Sequence, residues 1–202
     1  MLYTVGIYIF DEAEVLDFAG PFEVFSTASR VQSRLQPDTP PAFEVFLIAD
    51  TTRLVRARGG FMVQPHYNIT NHPAIDVLIV PGGVVTAELE RAEITHWIGR
   101  IAASSGITAS VCTGSFLLAQ AGLLQNRRAT THWEDIGDLR AMFPEVKVET
   151  ETRWIDTGPV VTSAGISAGI DMSLHLVARL AGDESAIKTA RQMEYDWKHT
   201  RL

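Results

Sequence analysis

The chain has 202 residues, 46% of them hydrophobic and 20% charged, a composition ordinary for one globular domain with a sizeable core. Seventeen basic against twenty-four acidic residues leave a net charge of -7, which argues against a broad nucleic-acid surface built on clustered Lys and Arg. The opening MLYTVGIYIFDEAEVLDF lacks the basic flank and cleavage site of a secretory leader, no apolar run approaches the ~18 to 20 residues that span a bilayer, and a lone cysteine cannot form an internal disulfide, so a cytoplasmic protein with no membrane partner is expected.

In chain order, YTVGIYIF (3–10) and FEVFLIAD (43–50) read as strands, short, β-branched or aromatic and bounded by polar turns. Between them PFEVFSTASRV suits a helix opening at Pro21, where a missing N–H costs nothing. The proline-bearing stretch 32–42 reads as a loop, and 54–65 as a hairpin turning at Gly59-Gly60. IDVLIVPGG (75–83) is almost wholly apolar up to Pro-Gly-Gly, as a strand covered on both faces must be. A helix over 86–104, a strand over 106–111 and a helix in TGSFLLAQAGLL follow. After the polar QNRRATTHW come a helix over 133–142, a hairpin over 153–165 turning at Asp156-Thr157-Gly158, and helices over 167–181 and 183–197. With no internal repeat and no linker, the expectation is one α/β domain over 1–202, with a mostly parallel sheet sandwiched between helices.

Ligands of open α/β sheets bind beyond the carboxyl ends of strands, and three features fall there: Asp17, Gly82-Gly83 and Cys112. Ser110-Val111-Cys112-Thr113-Gly114 has small residues two before and two after the cysteine, the spacing that a sharp strand-to-helix nucleophile elbow requires. A sulfur at the start of the next helix meets free N–H groups and the helix dipole, so a lowered thiol pKa is expected. The alternative for a single cysteine in an apolar segment is inert packing. With Pro21 opening the helix, Gly20 is the cap, and Asp17 is free to face a ligand or the sulfur, where its pKa should rise. The N–H groups of VPGG and of Thr113 offer an anion hole, although Gly-Gly also ends many plain turns. His132 reads more readily as a helix cap than as an activating base, and Phe61, Trp133 and Trp154 as pocket linings or plain core. No metal-ligand spacing or phosphate loop is present, so no cofactor or metal is expected.

EVLDFAGPFEVF, DVLIVPGG, ASVCTGSFLLAQAGLLQNRRATTHW and TSAGISAGIDMSLHLVARLAG together resemble the ThiJ/PfpI superfamily, relatives of the class I glutamine amidotransferases, over nearly the whole chain. The resemblance implies a flavodoxin-like fold and is greatest to two branches, the isonitrile hydratases and the sensor half of AraC-type regulators. With the sequence given to Leu202, a helix-turn-helix domain is not expected, and that expectation favours the first branch. Thr113 stands where protease-like members carry His, Asp17 matches the hydratase branch rather than the glutamate of glyoxalase-like members, and Ala164 replaces an expected glycine. The resemblance thus implies hydration of an isonitrile to an N-substituted formamide through a covalent thioimidate on Cys112. Asp17 would move the protons, the N–H groups of Gly83, Thr113 and Ile166 would steady the sulfur, and Gly82, His132 and Trp133 would border the pocket. It also implies a homodimer acting on a small molecule. A ligand- or redox-sensing domain, or a glyoxalase- or amidase-like hydrolase, are the alternatives.

Overall fold

In the computed structural model, which describes residues 1–198, the apolar runs assemble into one seven-stranded sheet. The first third of the chain forms β1 (Tyr3–Tyr8), α1 (Val15–Leu35), β2 (Phe43–Ala49), the hairpin β3 (Val55–Arg56) and β4 (Met62–Val63), and β5 (Tyr67–Asn68). The middle forms β6 (Val77–Val80), α2 (Thr86–Leu89), α3 (Ala92–Ser104), β7 (Ile107–Val111) and α4 (Gly114–Gln120). The remainder forms β8 (Arg128–Ala129), α5 (Ile136–Met142), β9 (Lys147–Val148), β10 (Trp154–Asp156), β11 (Val160–Ser163), α6 (Ala168–Ala181) and α7 (Asp183–Gln192).

The sheet order is β10-β11-β7-β6-β1-β2-β5, parallel throughout except where β10 pairs antiparallel with β11. Every residue of β6, β7 and β11 is buried, because helices cover both faces; α1, α6 and α7 pack together, and α3 packs with α4. From β1 the chain steps outward through α1 to β2, whereas β6 returns to the other side of β1 and continues to β7. The order therefore reverses between β1 and β6, and a crevice at their carboxyl ends is the place such a sheet offers a ligand. This is the mostly parallel, helix-flanked sheet that the sequence pattern predicts. No helix among the described residues is long and apolar enough to cross a membrane.

Several elements differ from expectation. α1 begins at Val15 and carries Pro21 in its interior, so Asp17 lies in the first helical turn rather than in a loop ahead of a Gly20 cap. Pro21 has no N–H to give the Asp17 carbonyl, yet packing of α1 on α6 and α7 outweighs that local loss. The same helix runs through Leu35, taking the first residues of the expected 32–42 loop. The predicted 86–104 helix breaks at Arg91, which is extended and reaches Asp50 at 3.0 Å, Glu88 at 3.2 Å and Glu93 at 2.9 Å. α4 stops at Gln120, α5 is preceded by a single tight turn over Trp133–Asp135, and α7 stops at Gln192. β5 and the parallel pair β8–β9 have two residues per strand, too few to leave a periodic signal.

The elbow geometry rests on Gly114. A Cβ there would overlap the Val80 carbonyl oxygen and stand 2.8 Å from the Pro81 oxygen, both backbone atoms that cannot step aside. Gly114→Ala should therefore cost at least about 3 kcal/mol or prevent folding. Gly137→Ala, inside α5 with open space around the new Cβ, should instead stabilise by up to about 1 kcal/mol. Urea denaturation of both variants measures the contrast.

Candidate active site

Three loops meet at the reversal point. The segment after β1 crosses the end of β6 through an antiparallel bridge between Ala13 and Gly83. Glu14 N–H donates to the Gly82 carbonyl at 2.9 Å, and Val84 N–H donates to the Glu12 carbonyl at 3.1 Å. The β3–β4 hairpin clamps the same segment from outside: Arg58 N–H donates to the Ala13 carbonyl at 3.0 Å, and the Arg58 guanidinium reaches Glu14 at 3.4 Å. Residues 12–14 are thereby fixed, and the first turn of α1 directs Asp17 inward.

Asp17 is completely buried. Its Oδ2 accepts from Gly82 N–H at 3.0 Å, while Oδ1 takes no conventional hydrogen bond from the described residues. Burial raises its pKa from the ordinary 3.8 to about 7 and outweighs the Gly82 hydrogen bond; Glu14 raises it further, while the Cys112 side chain and Arg58 oppose the rise. The expected rise is therefore present, but its main cause is lost water rather than a neighbouring thiolate.

Cys112 forms the elbow, with φ at 56° where non-glycine residues are strained. The turn is held from both sides: Cys112 N–H donates to the Ser163 and Ala164 carbonyls at 3.2 and 3.3 Å, and its own carbonyl accepts from Thr131 Oγ1 at 3.0 Å. The residue is 7% exposed. Burial first, then the charges of Asp17 and Asp135, push the thiol up to about 12, against hydrogen bonds from the N–H groups of Thr113 and Ile166. This overturns the expectation of a lowered thiol pKa. Only two amides meet the sulfur and the helix behind it has seven residues, whereas the lost hydration and two nearby carboxylates act on the whole thiolate charge.

Of the remaining predicted residues, Thr113 and Ile166 present their N–H groups to the sulfur, and Ile166 does so with φ at 48°. Gly83 does not join them, because its N–H donates to Thr113 Oγ1 at 2.9 Å, and the same hydroxyl donates back to the Gly83 carbonyl at 2.9 Å. The two exchanged bonds tie the loop after β6 to the elbow. Gly82 is a close-approach glycine, since a Cβ there would lie 2.6 Å from Thr113 Oγ1 and 2.9 Å from Cys112 Cβ. His132 is a cap: its Nδ1 accepts from Glu134 N–H at 3.4 Å, and its ring packs against Gly165 where a Cβ would collide with it. Trp133 is 75% exposed, Phe61 is exposed on the hairpin, and Trp154 is buried in the core beside His175. Glu14, Asp135 and Thr131 leave no signal in the sequence, because only the folded chain brings their charge or hydroxyl to the elbow. No group of three or more His, Cys, Asp or Glu is placed to hold a metal among the described residues.

At neutral pH this arrangement holds a protonated thiol beside a carboxyl near its midpoint, a pair suited to passing one proton through an addition and its reversal. The raised Asp17 pKa also has a stability consequence. The folded state holds this proton up to about pH 7 and the unfolded chain only to about 3.8, so stability is greatest below the lower value and falls as pH rises through the upper one. Asp17→Asn keeps an acceptor for Gly82 N–H and carries no charge. Chemical denaturation should show it more stable than wild type by up to about 4 kcal/mol at pH 8, the gap closing toward pH 4. A gap that ignores pH would refute the assignment.

The DJ-1/PfpI family profile matches residues 3–179. The chain is 34% identical over 196 residues to the isonitrile hydratase of Pseudomonas putida, covering 96% of this chain and 79% of that protein. It is 29% identical over 193 residues to the HTH-type transcriptional regulator GbdR of Pseudomonas aeruginosa, covering 96% of this chain but spanning only 51% of the regulator. Among solved structures, a THiJ/PfpI family protein from Pseudomonas syringae superposes with a TM-score of 0.85 at 26% identity, over 98% of this chain and 77% of that one. A profile covering most of the chain, a relative above 30% identity and the shared sheet agree: the protein is a member of the DJ-1/PfpI family.

Proposed function

We propose that this protein is a cysteine-dependent isonitrile hydratase, adding water to R–NC to give the formamide R–NH–CHO. The observation that carries the reading is the buried Asp17 carboxyl placed with the Cys112 thiol at the crevice of the sheet. The likeness to the Pseudomonas putida isonitrile hydratase over nearly the whole chain supports it.

The terminal carbon of an isonitrile carries a lone pair and accepts a proton before or as a nucleophile joins it. Ionised Asp17 takes the thiol proton and passes it to that carbon while the sulfur electron pair forms the C–S bond. The product is a thioimidate, R–N=CH–S–Cys112, and Asp17 is again ionised. Water then adds across the C=N bond, with Asp17 relaying its proton to nitrogen. The tetrahedral carbon expels sulfur, the sulfur regains a proton, and the formamide leaves. The N–H groups of Thr113 and Ile166 stabilise sulfur while it is charged. Covalent attachment divides one difficult hydration into two easier additions. A small-molecule substrate and a homodimer belong to the same proposal and rest on the family resemblance, and a cytoplasmic setting joins them as the default expectation from the composition.

Incubation with an aryl isonitrile should yield the formamide, followed by NMR. Cys112→Ala should abolish turnover, and Asp17→Asn should lower kcat by at least about a hundredfold. The reactive form is the pair holding one proton. Below about pH 7 Asp17 takes up a proton, the pair then holds two and the base is lost, so kcat/KM should rise with pH and level off above that value. Wild-type enzyme without turnover, or Cys112→Ala with normal turnover, would end this reading. Methylglyoxal and simple amides in the same assay distinguish a glyoxalase- or amidase-like reaction.

The second reading is a ligand-sensing domain, favoured by the 29% identity with the GbdR regulator. Redox sensing is the weaker version of it, since a buried thiol held neutral offers little thiolate for peroxide to oxidise. Intact-mass analysis after mild peroxide should show Cys112 unmodified.

A further inference from the structure

Thr130, Thr131 and His132 follow the short strand β8 and touch three separate parts of the framework around the sulfur. Thr130 N–H donates to Thr162 Oγ1 at 2.9 Å, and the Thr130 hydroxyl donates to the Glu149 carbonyl at 3.0 Å. Thr131 Oγ1 donates to the Cys112 carbonyl at 3.0 Å. The His132 ring lies on Gly165, where a Cβ would overlap Cδ2 and stand 3.1 Å from Nε2. Three consecutive residues therefore run from the end of β11 to the nucleophile and on to the residue ahead of Ile166.

Each contact has its own mechanical consequence. Cys112 sits at φ 56°, a conformation that a side-chain-bearing residue keeps only when its surroundings hold it. Its carbonyl is taken by Thr131 and, at 3.2 Å, by Ser115 Oγ. Ser115 is three residues away on the same turn, so its bond closes the elbow on itself and leaves the elbow free to shift as a unit. Thr131 is buried and nineteen residues away, and its bond ties the elbow to another segment. Cys112 N–H also reaches the Ser163 and Ala164 carbonyls, but that direct link stops two residues short of Ile166, whose N–H meets the sulfur and whose own φ is 48°. His132 covers the gap. Its Nδ1 accepts from Glu134 N–H at 3.4 Å and lies 3.3 Å from Asp135 Oδ2, while its other edge fills the space over Gly165. A side chain at 165 would push that ring away.

We propose that Thr131 and His132 are positioning residues of the active site: Thr131 fixes the backbone of Cys112, His132 fixes the backbone of Gly165 and Ile166, and one short segment thereby sets the span from the sulfur to the Ile166 amide. His132 acts through packing and takes no part in proton transfer. The catalytic consequence rests on the isonitrile reading above, whereas the brace itself does not. A displacement of about 1 Å at a reacting group can cost about a hundredfold in rate, and packed supporting residues are what prevent it.

Nitrogen-15 NMR of the Thr113 and Ile166 amides, together with steady-state kinetics on phenyl isonitrile, tests the proposal. Cys112→Ala gives the positions of both amide signals without sulfur. Thr131→Val should move both signals toward those positions and lower kcat at least about tenfold while KM changes less than about threefold, and Thr131→Ser should restore most of both. His132→Ala should move the Ile166 signal and leave that of Thr113, which belongs to the elbow. Adding Gly165→Ala to His132→Ala puts a methyl group into the vacated space and should return part of the Ile166 shift. His132→Ala carries the test even where Thr131→Val folds poorly. An Ile166 signal indifferent to His132→Ala, or a Thr131→Ser variant no better than Thr131→Val, overturns the brace. Signals that move as expected while wild type turns over no isonitrile would sink the hydratase reading and keep the brace. Normal turnover, with signals and kcat untouched by either substitution, would do the reverse.

Discussion

The site depends on one carboxyl carried into the interior of the protein and held there by a single amide. Asp17 gives up its hydration in exchange for the 3.0 Å bond from Gly82 N–H, and that bond joins the loop after β1 to the loop after β6 where the sheet reverses direction. Neighbouring constraints converge on it. The Ala13–Gly83 bridge fixes the approach, Thr113 Oγ1 ties Gly83 to the elbow, and the absent side chain of Gly82 lets the three backbones meet. A helix N-terminus favours an anion by about 1 kcal/mol or less at exposed positions, whereas full burial of a carboxylate opposes ionisation by several. The second effect wins, and Asp17 titrates near neutrality.

The consequence is a reversal of the expected protonation within the Cys112–Asp17 pair. A nucleophile elbow invites the picture of a ready-made thiolate, yet here the proton rests on sulfur and the carboxyl is the group poised to exchange it. That inventory suits an electrophile which itself requires protonation, because one proton would pass from sulfur to acid to carbon in the proposed reaction. It suits peroxide chemistry poorly, since oxidation consumes thiolate. The relatives of this chain include both an isonitrile hydratase and a transcriptional regulator, so the sheet they share does not by itself set what a member does.

How legible each part was in the sequence followed the range of the forces involved. β6 is legible because a strand covered on both faces must be apolar along its length, β1 and β2 because β-branched and aromatic runs end at polar turns, and the small residues around Cys112 because the elbow admits little else. Pro21 is a strong local signal for a helix start, yet α1 begins at Val15 because tertiary packing overrides it. The break at Arg91 was hidden because its cause, Asp50, lies forty-one residues away. His132 reads correctly as a cap, but its hold on Gly165 is a contact between distant segments and leaves no mark on spacing.

The sequence by itself determined the α/β class, the parallel strands that carry the loops and the elbow at Cys112, because each follows from local sterics or from the periodicity of burial; Asp17 stood out through its place after β1 and the family resemblance, not through the cap argument, which the start of α1 at Val15 overturns. Only the tertiary structure decided which of Cys112 and Asp17 keeps its proton, that Gly83 serves Thr113 rather than the sulfur, and that Trp133 stays exposed instead of joining the core. These outcomes depend on desolvation and on charges brought together from separate strands, and neither quantity exists until the chain has closed around them.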